Sequence, residues 1–194
     1  MGPGELEEED PRSLKVRAFF GLPVPEPQRD ELEAFLSACE RAAPEFRWTP
    51  KKNLHLTIRF IGSVDRPLVE SLGDALALRS LGAFDQELGD VGTFGRGRAA
   101  RVVWLGLRNG KDGAAALAAQ VEEECVRVGL PAESRPYQAH LTLARARPRD
   151  GARLPELPPI PRIKPWLSDA LVLYSSRLTR TGAVYEPLRT LKLV

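Results

Sequence analysis

The chain has two histidines, and both stand in the same tripeptide, His55-Leu56-Thr57 and His140-Leu141-Thr142. Threonine fills 7 of 194 positions. Random placement would therefore put it two residues beyond both histidines roughly once in 800 such chains. In a strand, residues i and i+2 project from one face. Each tripeptide then offers an imidazole and a hydroxyl side by side, while Leu56 and Ile58, or Leu141 and Leu143, turn to the core. Two such pairs, facing each other across a groove, suit a phosphodiester. One imidazole takes a proton from the attacking group and the other gives a proton to the leaving oxygen, because imidazole titrates near neutral pH. The hydroxyls of Thr57 and Thr142 hold the non-bridging oxygens and steady the charge of the transition state. A single tripeptide of this kind is ordinarily a packed or surface histidine. Two identical copies holding every histidine of the chain favour catalysis.

The same residues argue against a metal centre. There is no helical H-x-x-x-H and no C-x-x-C, so no zinc-ligand spacing is present. No metal and no cofactor is expected. The two cysteines, Cys39 and Cys125, each fall on the apolar face of a predicted helix and read as buried free thiols. No G-x-x-x-x-G-K-[ST] loop is present, so ATP-driven chemistry is not indicated.

The elements that must position the histidines are legible in the pattern. Residues 14–22 are rich in strand formers and end at Gly21 and Pro23; residues 54–61 alternate cleanly as a strand. Between them, Leu32, Phe35, Leu36 and Cys39 recur at helical spacing over 28–43. A second helix is expected over 67–78 and a strand over 84–94. Then the order repeats: a strand over 101–107, a helix capped by Asp112 and running to 128, and a strand over 140–144. Residues 146–165 form a Pro/Arg-rich loop, and 166–177 and 184–193 are two closing strands joined by a turn at Thr181-Gly182. His55 follows Phe19 by 36 residues and His140 follows Val103 by 37. Strand–helix–strand thus occurs twice, as in an internal duplication. Each unit is too small to cover its own sheet, so the two are expected to pack into one bilobal α+β body.

Composition agrees. Hydrophobic residues are 43% and charged residues 28%, ordinary for a globular chain. No apolar run approaches the ~18 residues of a membrane span. Residues 1–13 are acidic and Pro/Gly-rich, read as a disordered tail rather than a targeting peptide. The chain is +2 overall and that tail is −4, so the body from residue 14 to 194 is about +6, compatible with a phosphate-bearing ligand. A cytoplasmic monomer is expected.

The paired HLT motifs resemble the two H-x-T motifs of the two-histidine (2H) phosphoesterase superfamily, and within it the RNA 2′,3′-cyclic phosphodiesterases historically called 2′-5′ RNA ligases. The likeness extends over VRAFFGLP, WTPKKNLHLTIRFIGSV, GTFGRGRAARVVWLGL, HLTLAR and SSRLTRTGAVYEPL, nearly the whole chain. It implies two pseudo-symmetric antiparallel sheets with flanking helices around a central groove. It also implies metal-independent opening of a 2′,3′-cyclic phosphate to a 2′-phosphate, with His55 as proton donor and His140 as acceptor. The family usually has proline before its second histidine, where this chain has Ala139. Arg59 shares strand parity with His55 and is a candidate for phosphate. Arg145 matches the arginine of the family's HLTLAR run but is off parity with His140, so it needs a twist to reach the groove. Phe94 and Tyr137 are candidates to stack on a base, and Arg96, Arg98 and Arg101 to meet an RNA backbone. The partners implied are RNA with 2′,3′-cyclic phosphate ends or small cyclic nucleotides. Reverse-direction 2′-5′ ligation of tRNA halves, and a non-catalytic grip on RNA ends, are the rival readings.

Overall fold

The computed structural model describes residues 15–180 and 182–194; the acidic segment 1–13, Leu14 and Thr181 lie outside the described residues. The chain opens with β1 (Lys15–Pro23) and α1 (Glu26–Ala42), then β2 (Phe46–Trp48), a 3-10 turn (Lys51–Asn53) and β3 (His55–Asp65). After α2 (Arg66–Ala77) come β4 (Phe84–Arg96), β5 (Ala99–Asn109), α3 (Lys111–Arg127) and β6 (His140–Ala146). The remainder is β7 (Ala152–Arg153), β8 (Trp166–Ser168), β9 (Ala170–Thr179) and β10 (Gly182–Lys192).

The helices form where the apolar spacing asks for them. α1 buries Leu32, Phe35, Leu36 and Cys39 on one stripe, and α3 buries Leu117, Ala118, Val121 and Cys125. Burial raises both thiols to about 11, so neither is a nucleophile near neutral pH. Asp112 does not cap α3. Gly110, left-handed at φ 91°, is the N-cap, and Asp112 falls in the first turn. A Cβ at Gly110 would stand 2.5 Å from the Asp85 carbonyl oxygen, so the tight approach of β4 to this helix start requires glycine.

The closing strand expected over 166–177 is two. Trp166–Ser168 pairs with β4, whereas the run from Ala170 pairs with β10 and, at its centre, with β1. The chain changes partner at Asp169. Two short strands went unpredicted, β2 and β7; three and two residues are too few to show a period.

All strand pairs are antiparallel, in the order β10-β9-β1-β3-β6-β5-β4-β8, with β2 also on β6 and β7 on β5. This path has two halves. Strands β10, β9, β1 and β3 make the first lobe, and β6, β5, β4 and β8 the second. Among the described residues a single ladder pair, Leu56 with Leu141, links the two halves of the path. Both leucines are fully buried. They are the middle residues of the two HLT tripeptides, so the seam between the lobes runs through both motifs.

Truncating the seam tests its weight. Leu56→Ala is expected to cost about 2–5 kcal/mol in urea unfolding, the usual range for a buried leucine. It should also lower turnover, although no reacting group is removed.

Candidate active site

The register of the seam sets the site. Leu56 faces Leu141 across an antiparallel pair. One step away on the opposite face, Thr57 therefore lies across from His140, and His55 across from Thr142. The four polar side chains form a His/Thr/His/Thr square about a pseudo-twofold axis.

Each imidazole is oriented by its own backbone. The Nδ1–H of His55 donates to the Asn53 carbonyl at 2.7 Å, and that of His140 to the Gln138 carbonyl at 2.8 Å. A carbonyl only accepts, so Nδ1 keeps the proton and Nε2 presents a lone pair in the neutral ring. The Thr57 hydroxyl reaches His55 Nε2 at 3.2 Å. Asn53 donates its side-chain amide to the Ala183 carbonyl at 2.8 Å, tying the turn before His55 to β10. Because Gln138 holds His140, the ring is preset with Ala139 before it as well.

Aromatic rings complete both seats. Phe19 lies 4.7 Å from the His55 ring and Trp104 lies 6.1 Å from that of His140. Tyr185 meets His55 edge-on at 5.1 Å and 86°, as Phe94 meets His140 at 5.0 Å and 90°. The internal repeat is thus in step at Phe19 and Trp104, each 36 residues before its histidine, rather than at Val103. The shared pattern is aromatic-x-Gly-Leu, Phe19-Phe20-Gly21-Leu22 and Trp104-Leu105-Gly106-Leu107. A Cβ on Gly21 would stand 3.2 Å from His55 Cδ2, so this glycine makes room for the ring. Sequence reasoning missed Phe19, Trp104, Tyr174 and Tyr185 as parts of the site; the matched spacing of 36 was the signal for the first two.

Arg145 does reach the groove. Between the pairs Val103–Ala144 and Trp104–Thr142 the ladder slips by one residue. Leu143 and Ala144 are both buried as a result, and the bulge returns Arg145 to the face of His140 and Thr142. Its charge lowers the proton affinity of both histidines.

Arg59 reaches the groove, as its parity predicts, but its guanidinium is occupied. Its guanidinium donates to Glu122, to Glu133 at 2.6 Å, and to the carbonyls of Phe60 and Pro131, each at 2.6 Å. It pins the loop after α3 and offsets two carboxylates that would repel an anion; it lines the groove beside Thr57 and His140 with its guanidinium already engaged by these partners. Tyr137 donates its hydroxyl to the Thr57 carbonyl at 3.2 Å, bracing one lobe on the other. Burial raises its pKa, so it stays protonated. Tyr137 and Phe94 also line a cavity of about 910 Å³, walled by Ala115, Ala118 and Ala119 of α3, that opens beside Thr57 and His140.

Burial dominates the electrostatics. It pushes His55 down to about 4, against the opposing pull of the Asn53 carbonyl and with help from Arg145 and His140. His140 is lowered by burial too, and by Arg145, with its Gln138 bond opposing. Among the described residues, no three His, Cys, Asp or Glu side chains gather as metal ligands, and no helix is long and apolar enough to cross a membrane.

Comparison with known proteins finds the same arrangement of chain. The LigT-like phosphoesterase family matches residues 22–104 and 105–185. The RNA 2′,3′-cyclic phosphodiesterase of Aeropyrum pernix is 33% identical over 150 residues, 73% of this chain and 82% of that one. That of Thermus thermophilus is 31% identical over 192 residues, 92% of this chain and 90% of that one. A crystal structure of E. coli LigT complexed with 3′-AMP superposes with a TM-score of 0.79 at 27% identity, over 93% of this chain and 99% of that one.

The depressed pKa of His55 has a stability consequence. A folded-state value of about 4, below the unfolded ~6.5, means the unfolded chain binds more protons between those limits. The contribution is therefore whole above pH ~6.5 and is lost as pH falls toward 4. His55→Gln is expected to flatten the fall in Tm across that window relative to the wild type, measured by thermal unfolding.

Proposed function

The chain belongs to the LigT-like phosphoesterase family, and on that footing we propose that it opens terminal 2′,3′-cyclic phosphates of RNA to 2′-phosphates without a metal. The observation that supports this most is the His/Thr square fixed by the Leu56–Leu141 pair, in which a bound phosphate would have one imidazole on each side. The names of its relatives point the same way.

In this reading His140 Nε2 accepts a proton from water as the water oxygen bonds to phosphorus. The P–O3′ bond breaks on the far side, and His55 Nε2–H protonates the departing O3′. The products are a 2′-phosphate and a 3′-hydroxyl. Thr57 and Thr142 donate to the non-bridging oxygens, and Arg145 balances the charge that builds there. Phe94 and Tyr137 offer the terminal base an aromatic wall at the mouth of the cavity. The two seats are near twins, so the same groups run the reaction backwards by exchanging roles; end-joining of tRNA halves is the assay for that direction.

The proton on His55 comes with the substrate. In the free site burial holds this ring neutral near pH 7; an adjacent phosphate anion favours the imidazolium and raises its pKa. The activity needs His55 protonated and His140 neutral, so its alkaline limb follows the higher of the two pKa values, and a phosphate between the rings raises both. The limb of the kcat profile is expected to lie at higher pH than that of kcat/KM, since kcat reports the complex and kcat/KM the free enzyme.

His55→Ala and His140→Ala should each lower turnover of a cyclic-phosphate RNA about 10²–10⁴-fold, with a 2′-phosphate as the wild-type product and full activity in excess EDTA. Full activity in either variant, or its loss in EDTA, overturns the mechanism.

A further inference from the structure

Beyond the histidine square, one row of directly paired residues crosses four strands on the groove face. Phe94 pairs with Val102, Val102 with Arg145, and Arg145 with Arg47. Directly opposed residues project to the same face. Arg47 is held there because its neighbours Phe46 and Trp48 are buried on the other side, at 0% and 7% exposure, with Trp48 Nε1–H donating to the Ala43 carbonyl at 3.1 Å.

Like charges directly opposite destabilise a sheet. Here two exposed arginines face each other. Neither guanidinium makes an ion pair or side-chain hydrogen bond with any described residue. The other arginine on this stretch is tied down: Arg147 Nε–H donates to the Pro44 carbonyl at 3.0 Å. Arg145 shares the face of His140 and Thr142 through the bulge in β6, so in the proposed reaction it serves the reacting phosphate. Arg47 stands one strand further out, ~4.8 Å away in the sheet, on the β6 edge that β3 leaves and β2 takes over.

We propose that Arg47 forms a second phosphate subsite, taking the phosphodiester on the 5′ side of the terminal nucleotide. The paired guanidiniums are then each neutralised by a neighbouring phosphate of one strand, and the repulsion between them is relieved only by a substrate with two. This rests on the reading of the histidine site as a cyclic phosphodiesterase and adds a preference for RNA ends over bare nucleosides.

The test compares Arg47→Gln with wild type on three substrates: uridine 2′,3′-cyclic phosphate, the same compound with a 5′-phosphate, and a trinucleotide ending in it. Expected is a fall of about tenfold in the ratio of kcat/KM for each of the latter two over the first, residing in KM. The salt dependence should weaken by about one phosphate contact. Arg47→Lys should restore most of the ratio, and Tm of Arg47→Gln should hold or rise. An unchanged ratio overturns the subsite. Binding of a trinucleotide with a 2′-phosphate end, followed by fluorescence anisotropy against salt, reads Arg47 independently of turnover. A protein that binds it through Arg47 but opens no cyclic phosphate would retain the subsite and lose the catalytic reading; equal binding by Arg47→Gln and wild type would overturn the subsite in either case.

Discussion

One contact between two leucines sets the relation of every reacting group. Leu56 and Leu141 are the sole register pair between the two halves of the strand path among the described residues, and each is flanked by the histidine and threonine of its motif. A slip of one residue by either strand would turn its imidazole into the core and its leucine into the groove. The apolar demand for burial therefore does the aligning. The leucines turn inward because they are hydrophobic, and the polar square on the other face follows from strand alternation. Tyr137, reaching from the loop before β6 to the Thr57 carbonyl, adds a second brace beside the first.

Around that seam the protein treats its two histidines alike. Each gives Nδ1–H to the carbonyl two residues back, and each has an aromatic neighbour from the adjoining strand and another edge-on. Orientation and tautomer are settled before any ligand arrives, as preorganised acid–base catalysis requires. The asymmetry is one of depth. His55 lies among Phe19, Tyr174 and Tyr185 and is driven down to about 4, whereas His140 opens onto the cavity. Two chemically equal groups are thereby made unequal by surroundings.

The histidines, the threonines, the helices and most of the strands were legible because each announces itself over a few consecutive residues. The HLT repeat needs only a comparison of tripeptides, and α1 and α3 only a count of apolar spacing. What stayed hidden depends on partners remote in sequence. Arg145 reads as off parity until the ladder is seen to slip beside Val103. Arg59 reads as a phosphate ligand by parity, but Glu122 and Glu133 on and after α3 claim it. Tyr174 and Tyr185 arrive from a hairpin more than a hundred residues beyond His55. Strand alternation predicts which side a residue faces; it says nothing of which neighbour waits there.

The strand order also carries a timetable. The inner edge of β1 meets β3 early in the chain, but its outer edge meets β9, with Ala18 opposite Ser175. During synthesis the whole second lobe emerges while that outer edge is bare, an invitation to wrong pairing. Phe19 and His55 must wait for the last hairpin before Tyr174 and Tyr185 close over them. The half of the groove that the ribosome makes first is thus the half that becomes competent last, and a nascent chain halted before residue 170 has both histidines and a finished home for only one.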